Sequence, residues 1–397
     1  MAELKTRVGI IGAGPAGLLL SHLLARAGLD SWVLERRSRA HVESRVRAGV
    51  LEQSAVDTLC RAGVGERLVR EGIIHHGIEL RFGDRAQRID FEQLVPGRNI
   101  TVYGQREIVK DLIEARLAGP NAHEPVSFEA TEVGLTGLAA EEPVVHFTVG
   151  GQRHRLACDW VIGCDGFHGV SRDWLPKAGV KTYERTFPFA WLGVLANVEP
   201  SSRELVYALH ERGFALHSMR SNDISRFYLQ VSPDEDLRAW TDERIWAELT
   251  CRLATVPGWS LRTGPILEKN LAPLRSFVVE PMRHGRLLLA GDAAHIVPAT
   301  GAKGLNLAVA DVRLLSNALV AWYTHGSAEL LDQYSETCLR RVWRVQQFSC
   351  WMTRLLHRFP SDDAFERRIQ LAQLEAVATS RAGATSLAEN YVGLEHV

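Results

Sequence analysis

The run Val8-Gly9-Ile10-Ile11 is apolar throughout and stops at Gly12. That is the pattern of a short strand buried on both faces of a parallel sheet. Pro15 follows, where a first helical turn tolerates it. Leu18, Leu19, Leu23, Leu24 and Ala27 then recur at helical spacing as far as Gly28, which predicts a helix stopping there. Residues 31–34 are again strand-like and end at Glu35. Strand, helix and strand within about 30 residues make a βαβ unit.

The middle of the chain changes character. Residues 190–198, 204–209, 214–220 and 226–231 are short strand-like runs joined by turn residues. They predict an antiparallel sheet with one face packed and one facing a cleft. Residues 235–256 are expected to be helical, with Trp240, Ile245, Trp246 and Leu249 apolar. Residues 286–290 form another buried strand, and a loop from Gly291 to Gly304 leads into a helix with Leu305, Val309, Val312, Leu315 and Leu319 on one face. Beyond about residue 330 the pattern is mostly helical, ending near Asn390. The expected fold is α/β (α+β): a Rossmann-like dinucleotide-binding domain, an interleaved antiparallel-sheet domain and a C-terminal helical region. The expected division is 1–180 for the first, with 74–100 partly joining the second sheet, 181–275 for the second, and 276–325 returning to the first before the helical end.

Composition narrows the class without choosing a function. The 397 residues are 46% hydrophobic and 23% charged, with a formal net charge of −1. That is ordinary globular composition, and it offers no electrostatic case for nucleic acid or an anionic membrane. The six cysteines have no metal-ligand spacing and suggest neither a metal site nor a disulfide framework. No leader peptide and no membrane-spanning run are evident, so a cytoplasmic protein is expected.

Three motifs carry chemistry. In Gly12-x-Gly14-x-Ala16-Gly17, taken from Gly12 to Gly17 as Gly-x-Gly-x-x-Gly, the first glycine permits a tight turn, the second lets a pyrophosphate approach, and the third lets helix pack on strand. Glu35 lies 18 residues after Gly17, where a carboxylate can accept from ribose hydroxyls. Alone, this set reads as a dinucleotide site, with NAD nearly as good a fit as FAD. The second motif, Cys164-Asp165-Gly166, follows a strand and in isolation is a plain turn. The third, Gly291-Asp292-Ala293-Ala294-His295, puts a carboxylate after a strand, where it can accept from a polyol or simply cap the turn.

In this order the three motifs resemble those of the FAD-dependent aromatic hydroxylases, the single-component flavoprotein monooxygenases. The similarity extends through Arg45-x-Arg47-Ala48-Gly49-Val50-Leu51-Glu52-Gln53, Val102-Tyr103-Gly104-Gln105, Gly163 to Gly169, Ala272 to Met282 and Glu389 to Leu394. It implies a glutathione-reductase-type FAD domain and a bound FAD reduced by NADPH or NADH. It also implies a homodimer that inserts one atom of O2 into a small aromatic acid. The implied reaction takes 4-hydroxybenzoate to 3,4-dihydroxybenzoate. Another aromatic acid, or an oxidase or dehydrogenase chemistry without oxygen insertion, remains the alternative.

The same resemblance implies roles residue by residue. Ser218, Arg220 and Tyr228 would hold the substrate carboxylate, although Arg220 alone reads as a surface ion pair. Tyr207 would meet the phenol, and Tyr391 and His75 would pass its proton to solvent; His75 alone reads as a surface histidine titrating near neutral pH. Val50, Trp191, Leu216 and Thr300 would line the ring slot. Ala299 stands where the family usually has a second proline and keeps the carbonyl that faces the substrate hydroxyl. Gly12, Gly14, Ala16, Gly17, Glu35, Arg45, Arg47, Gln53, Gln105, Asp292, Leu305 and Asn306 would contact FAD. Arg36, His41, His168, Arg172 and Arg275 would contact the nicotinamide donor, with the arginines after Glu35 able to hold a 2′-phosphate.

Overall fold

A computed structural model describes the chain apart from residues 1, 46, 48, 119–125, 140–141, 177–178, 255 and 394–397. Ala48 and Leu394 of the segments above therefore lie outside the described residues.

The expected βαβ unit is present. Val8–Ile11 pairs in parallel with Ser31–Leu34 on one side and with Trp160–Gly163 on the other, and Leu287–Leu289 continues the sheet. Each strand is short and, Trp32 apart, fully buried, as a parallel sheet covered on both faces requires. The helix Pro15–Arg26 has Pro15 in its first turn, and Gly28 follows it at φ +73°. Gly304–His325 and Glu329–Leu356 are packed together, and the first also packs on Pro15–Arg26. Among the described residues Gly304–His325 is the one helix long and apolar enough to cross a membrane, and most of that stretch is buried inside the molecule.

The second sheet has eight strands, in the order His295–Ile296, Ile266–Glu280, Lys181–Asn197, Ile224–Val231, Gly213–Met219, Leu205–His210, Gly77–Phe82 and Arg85–Asp90. All neighbours are antiparallel except Leu205–His210 with Gly77–Phe82, which run parallel. Lys181–Asn197 begins well before the expected run at 190–198, and Ile266–Glu280 is a strand where none was expected. They pair from Lys181↔Glu280 to Ala196↔Ile266, with a register shift between Thr186 and Ala190. Pro188 lies within that shift and Pro273 at its edge, where a missing N–H costs no ladder bond.

The helix expected over 235–256 is shorter. It spans Asp242–Leu253, because the Thr241 hydroxyl accepts from the Arg244 N–H and starts a new helix there. Before it, Asp236 caps a single 3-10 turn at Leu237–Ala239, so Trp240 lies in the link between the two.

Candidate active site

The glycine loop meets each steric demand made of it. Gly12 sits at φ +105°, and a Cβ there would be 2.5 Å from the Cys164 carbonyl oxygen. A Cβ on Gly17 would be 2.0 Å from the Gly12 carbonyl oxygen, so helix and strand touch through bare backbone. A Cβ on Gly14 would meet nothing within 4 Å. The Glu35 carboxylate accepts from the Ala13 N–H at 2.9 Å and the Arg37 N–H at 2.8 Å, which fastens the end of the second strand to the loop.

Opposite this loop Arg47 and Asp292 form an ion pair at 3.4 Å, both partly exposed. Arg45 shares the same electrostatic neighbourhood with Arg36, Arg47, Glu35 and Asp292. The loop carrying Asp292 is held from below: the Asp311 carboxylate accepts from the Gly291 N–H at 3.0 Å and bonds His295 Nε2 at 2.6 Å. Asp165 is more than a plain turn. One oxygen accepts from the Ser171 N–H at 2.9 Å, and the other is buried without a partner. Burial pushes this carboxyl up from its ordinary range.

An open approach at Gly14, two guanidinium groups, an accessible carboxylate at Asp292 and an orphaned oxygen on Asp165 suit a group with a pyrophosphate and polyol hydroxyls. The residues present therefore fit FAD. Gly14→Ala is expected to leave the melting temperature of the cofactor-free protein nearly unchanged and to weaken FAD retention. Gly17→Ala should lower that melting temperature itself, since the new methyl group meets backbone. Thermal scans of both apoproteins beside an FAD titration check the contrast.

Other expected contacts are arranged differently. The Asn306 side chain is spent on structure: its oxygen accepts from the Glu52 N–H at 2.9 Å, and its NH2 donates to the Val50 and Ala302 carbonyls. Gln53 bonds Asp57 one turn along its own helix at 2.8 Å. Leu305 packs partly buried against the core, and Gln105 opens the helix Gln105–Ala118. Ala16 is buried in the first helix.

A second group of expected residues gathers around Phe167. Arg172 stacks 4.7 Å from its ring centre and 4.5 Å from that of Phe277, and Arg275 lies 4.6 Å from Phe167. Arg36 reaches the His168 carbonyl at 3.4 Å. His41 stands apart on the exposed helix Arg39–Ser44, its N–H capped by Ser38.

The third cluster lies on one face of the eight-stranded sheet. Tyr207, Leu216, Tyr228 and Gly193 are successive cross-strand partners and so share that face. The Trp191 ring is 4.8 Å from Tyr228 and stacks on Phe214 at 5.1 Å. Val50, Trp191, Tyr207, Leu216 and Tyr391 belong to one apolar cluster, with Tyr228 packed against it. At one end Arg220 donates to the Met219 carbonyl at 2.8 Å and to Ser218 Oγ at 3.3 Å, and its Nε is buried without a partner. Among the described residues no carboxylate pairs with it, so the surface ion-pair reading is set aside. At the other end the hydroxyls of Tyr207 and Tyr391 are 2.5 Å apart and fully buried. Burial pushes both phenols up from their ordinary value, so both keep their protons at neutral pH. Tyr391 is fixed by Lys303, which donates to its carbonyl at 2.7 Å and to Glu52 at 2.8 Å. Ala299 opens a 3-10 turn and its carbonyl accepts from the Ala302 N–H at 3.0 Å, so the turn persists without the second proline.

His75 corrects an expectation. It is fully buried in a three-stranded sheet, opposite Ile100, with neither ring nitrogen hydrogen-bonded. Burial pushes its pKa down to about 4, so it is neither a surface histidine nor one titrating near neutral pH. The unfolded chain takes up this proton near pH 6.5 and the folded one only near 4. Stability from His75 is thus complete above about pH 6.5 and is lost as the pH falls through about 4, a change of roughly 3 kcal/mol. His75→Asn is expected to flatten the dependence of unfolding free energy on pH over that window, as urea titrations at pH 4.5 and 7.5 would read.

Sequence reasoning missed two members of this cluster, Thr353 and His357. Both lie where the helix Glu329–Leu356 ends, and one histidine at a helix C-terminus reads as a surface cation.

Comparison with known proteins settles the family. The FAD binding domain family matches residues 5–349. The chain is 50% identical over 396 residues to a p-hydroxybenzoate hydroxylase of Acinetobacter baylyi, covering 100% of this chain and 97% of that protein. The chain belongs to the FAD-dependent aromatic hydroxylases. A 3-(3-hydroxy-phenyl)propionate/3-hydroxycinnamic acid hydroxylase of Mycobacterium avium is 28% identical over 83% of this chain and 57% of that protein. The crystal structure of a p-nitrophenol 4-monooxygenase from Pseudomonas putida shares the hydroxylase fold, with a TM-score of 0.82, 20% identity, and coverage of 99% of this chain and 100% of that one. As a member of this hydroxylase family the protein uses FAD to hydroxylate an aromatic acid.

Proposed function

We propose that this hydroxylase acts on 4-hydroxybenzoate, placing oxygen at the 3-position to give 3,4-dihydroxybenzoate. The observation that carries the reading is the polarity of the apolar slot. Its one end has Arg220 and Ser218, suited to a carboxylate, and its other end has the paired hydroxyls of Tyr207 and Tyr391, suited to a phenol. Ser218 lies two residues beyond Leu216 on the same strand face, about 6.6 Å along it, which suits a ring substituted at opposite ends.

The roles follow from this chemistry. Arg220 and Ser218 bind and orient the acid, with Tyr228 beside them. Trp191, Leu216, Val50 and Thr300 exclude water from the ring. Tyr207 accepts the phenol proton as it passes its own to Tyr391; a place for His75 beyond them rests on the family resemblance alone, since its ring is buried, bonds to neither tyrosine and resists protonation. The resulting phenolate is electron-rich at the carbon beside its oxygen. FAD, held by the glycine loop, Glu35, Arg45, Arg47 and Asp292, supplies the activated oxygen when bound. The donor is NADPH or NADH, met by the Arg36, His168, Arg172 and Arg275 group around Phe167. Arg39 pairs with Glu43 at 2.6 Å, which leaves Arg36 and Arg37 as the arginines best able to hold a 2′-phosphate. In this reading 1–180 and 276–325 carry the cofactor, and 181–275 with strands from 74–100 carry the substrate. The working form is a cytoplasmic homodimer, a location that six free cysteines suit.

The test is a titration of the yellow holoprotein with 4-hydroxybenzoate, followed by turnover with each donor. The flavin bands should shift, and oxygen uptake should match 3,4-dihydroxybenzoate formed. An unshifted spectrum, or donor oxidation without that product, would overturn the assignment in favour of another aromatic acid or of oxidase chemistry.

A further inference from the structure

The wall of the ring slot is held by a chain of hydrogen bonds that begins outside it. The Trp191 indole is buried, and its Nε1–H, which can only donate, points at His357 Nε2 at 2.7 Å. The other ring nitrogen, Nδ1, lies 2.9 Å from the Thr353 carbonyl, which can only accept. These two partners fix a single tautomer: Nδ1 carries the proton and Nε2 is bare. Burial pushes the His357 pKa down to about 3, so the ring stays neutral and Nε2 stays an acceptor.

The ring is also clamped in plane. It stacks on Phe189 at 4.7 Å with an interplanar angle of 6°, on Phe214 at 4.3 Å and 25°, and against Trp191 itself at 5.8 Å and 10°. Thr353 extends the chain to Thr300, which the proposed function places at the ring, since its hydroxyl donates to that of Thr300 at 2.9 Å. Thus Trp191 and Thr300, on separate segments, are referred to one turn of helix end. The Nδ1 bond stays within His357's own helix end, so the contact to Trp191 is the one that reaches the slot.

We propose that His357 is a positioning residue for aromatic-acid selection: by accepting from Trp191 Nε1 it sets the angle of the indole against the substrate ring. The proposal rests on the slot being the substrate site. Without the acceptor the buried indole N–H is left unpaired, and the ring must turn to find another partner.

Three substitutions test it on the holoenzyme. His357→Phe keeps the stacking and removes the acceptor; His357→Gln keeps an acceptor; Trp191→Phe removes the donor. The near-ultraviolet circular dichroism contributed by Trp191, taken as the difference made by Trp191→Phe, is expected to change in the His357→Phe background and to return in His357→Gln. The KM for 4-hydroxybenzoate should rise about tenfold in His357→Phe, with less product formed per donor oxidised, and His357→Gln should lie near the parent. Added to Trp191→Phe, His357→Phe should change KM by less than about twofold. An unchanged indole signal, or the same KM effect in both backgrounds, would overturn the proposal, since mere loss of packing acts without regard to Trp191. An altered indole signal in an enzyme that binds no 4-hydroxybenzoate would instead sink the substrate assignment and leave the role of His357 standing.

Discussion

Tyr207→Phe is expected to keep FAD and substrate binding while losing most hydroxylation. The phenyl ring preserves the apolar face shared with Leu216 and Tyr228, so the slot keeps its shape. What goes is the single hydroxyl between the phenol and Tyr391, 2.5 Å away. Because burial keeps both tyrosines protonated, the proton can leave the substrate only if each hydroxyl accepts on one side as it donates on the other. One missing member stops that exchange. A positioned proton acceptor contributes roughly 10²–10⁴-fold, so the rate of product formation should fall by about that much. Donor oxidation should continue, with hydrogen peroxide in place of hydroxylated product. Quantifying both against donor consumed is the measurement, and an unchanged product yield would remove Tyr207 from the proton path.

Arg220→Ala should act on binding. Arg220 Nε is buried with no partner, the group contacts the Met219 carbonyl, the Ser218 hydroxyl and Tyr228, and among the described residues no carboxylate pairs with it. Burial lowers its hold on its proton, a cost that an anionic ligand at the same place relieves. Truncation would remove a charged, hydrogen-bonded contact worth roughly 2–5 kcal/mol, or about 30- to 4000-fold in the dissociation constant of 4-hydroxybenzoate. A neutral analogue such as the amide should bind the two proteins almost equally. A change below about twofold for the acid would place the carboxylate elsewhere.

The parts of this protein that could be read from sequence are those whose constraint is local. Gly12 and Gly17 each answer a backbone demand, Gly14 leaves an open approach, and the strands beside them are apolar because both faces are covered. The site across the sheet is of another kind. Tyr207 and Tyr391 are 184 positions apart, and nothing in the spacing of either brings their hydroxyls together; only likeness to a family suggested it. His75 misled because composition makes histidine a surface residue, whereas pairing with 100–102 takes it inside. Asn306 was expected at the flavin from family likeness alone, and its side-chain amide is consumed in stapling strand 50–52. Ile266–Glu280 was hidden by its charges and by Pro273, which the strand tolerates at the edge of a register shift.

The parallel sheet around Val8–Ile11 also bears on the order in which the molecule is made. Val8–Ile11 leaves the ribosome some 150 residues ahead of its neighbour Trp160–Gly163, and the next strand, Leu287–Leu289, follows another 124 positions on. Asp292 and the helix that holds it come later still. The nucleotide fingerprint is therefore synthesised well before the segments that complete its site, so a nascent chain gains nothing from the cofactor until Asp292 and the helix behind it have followed.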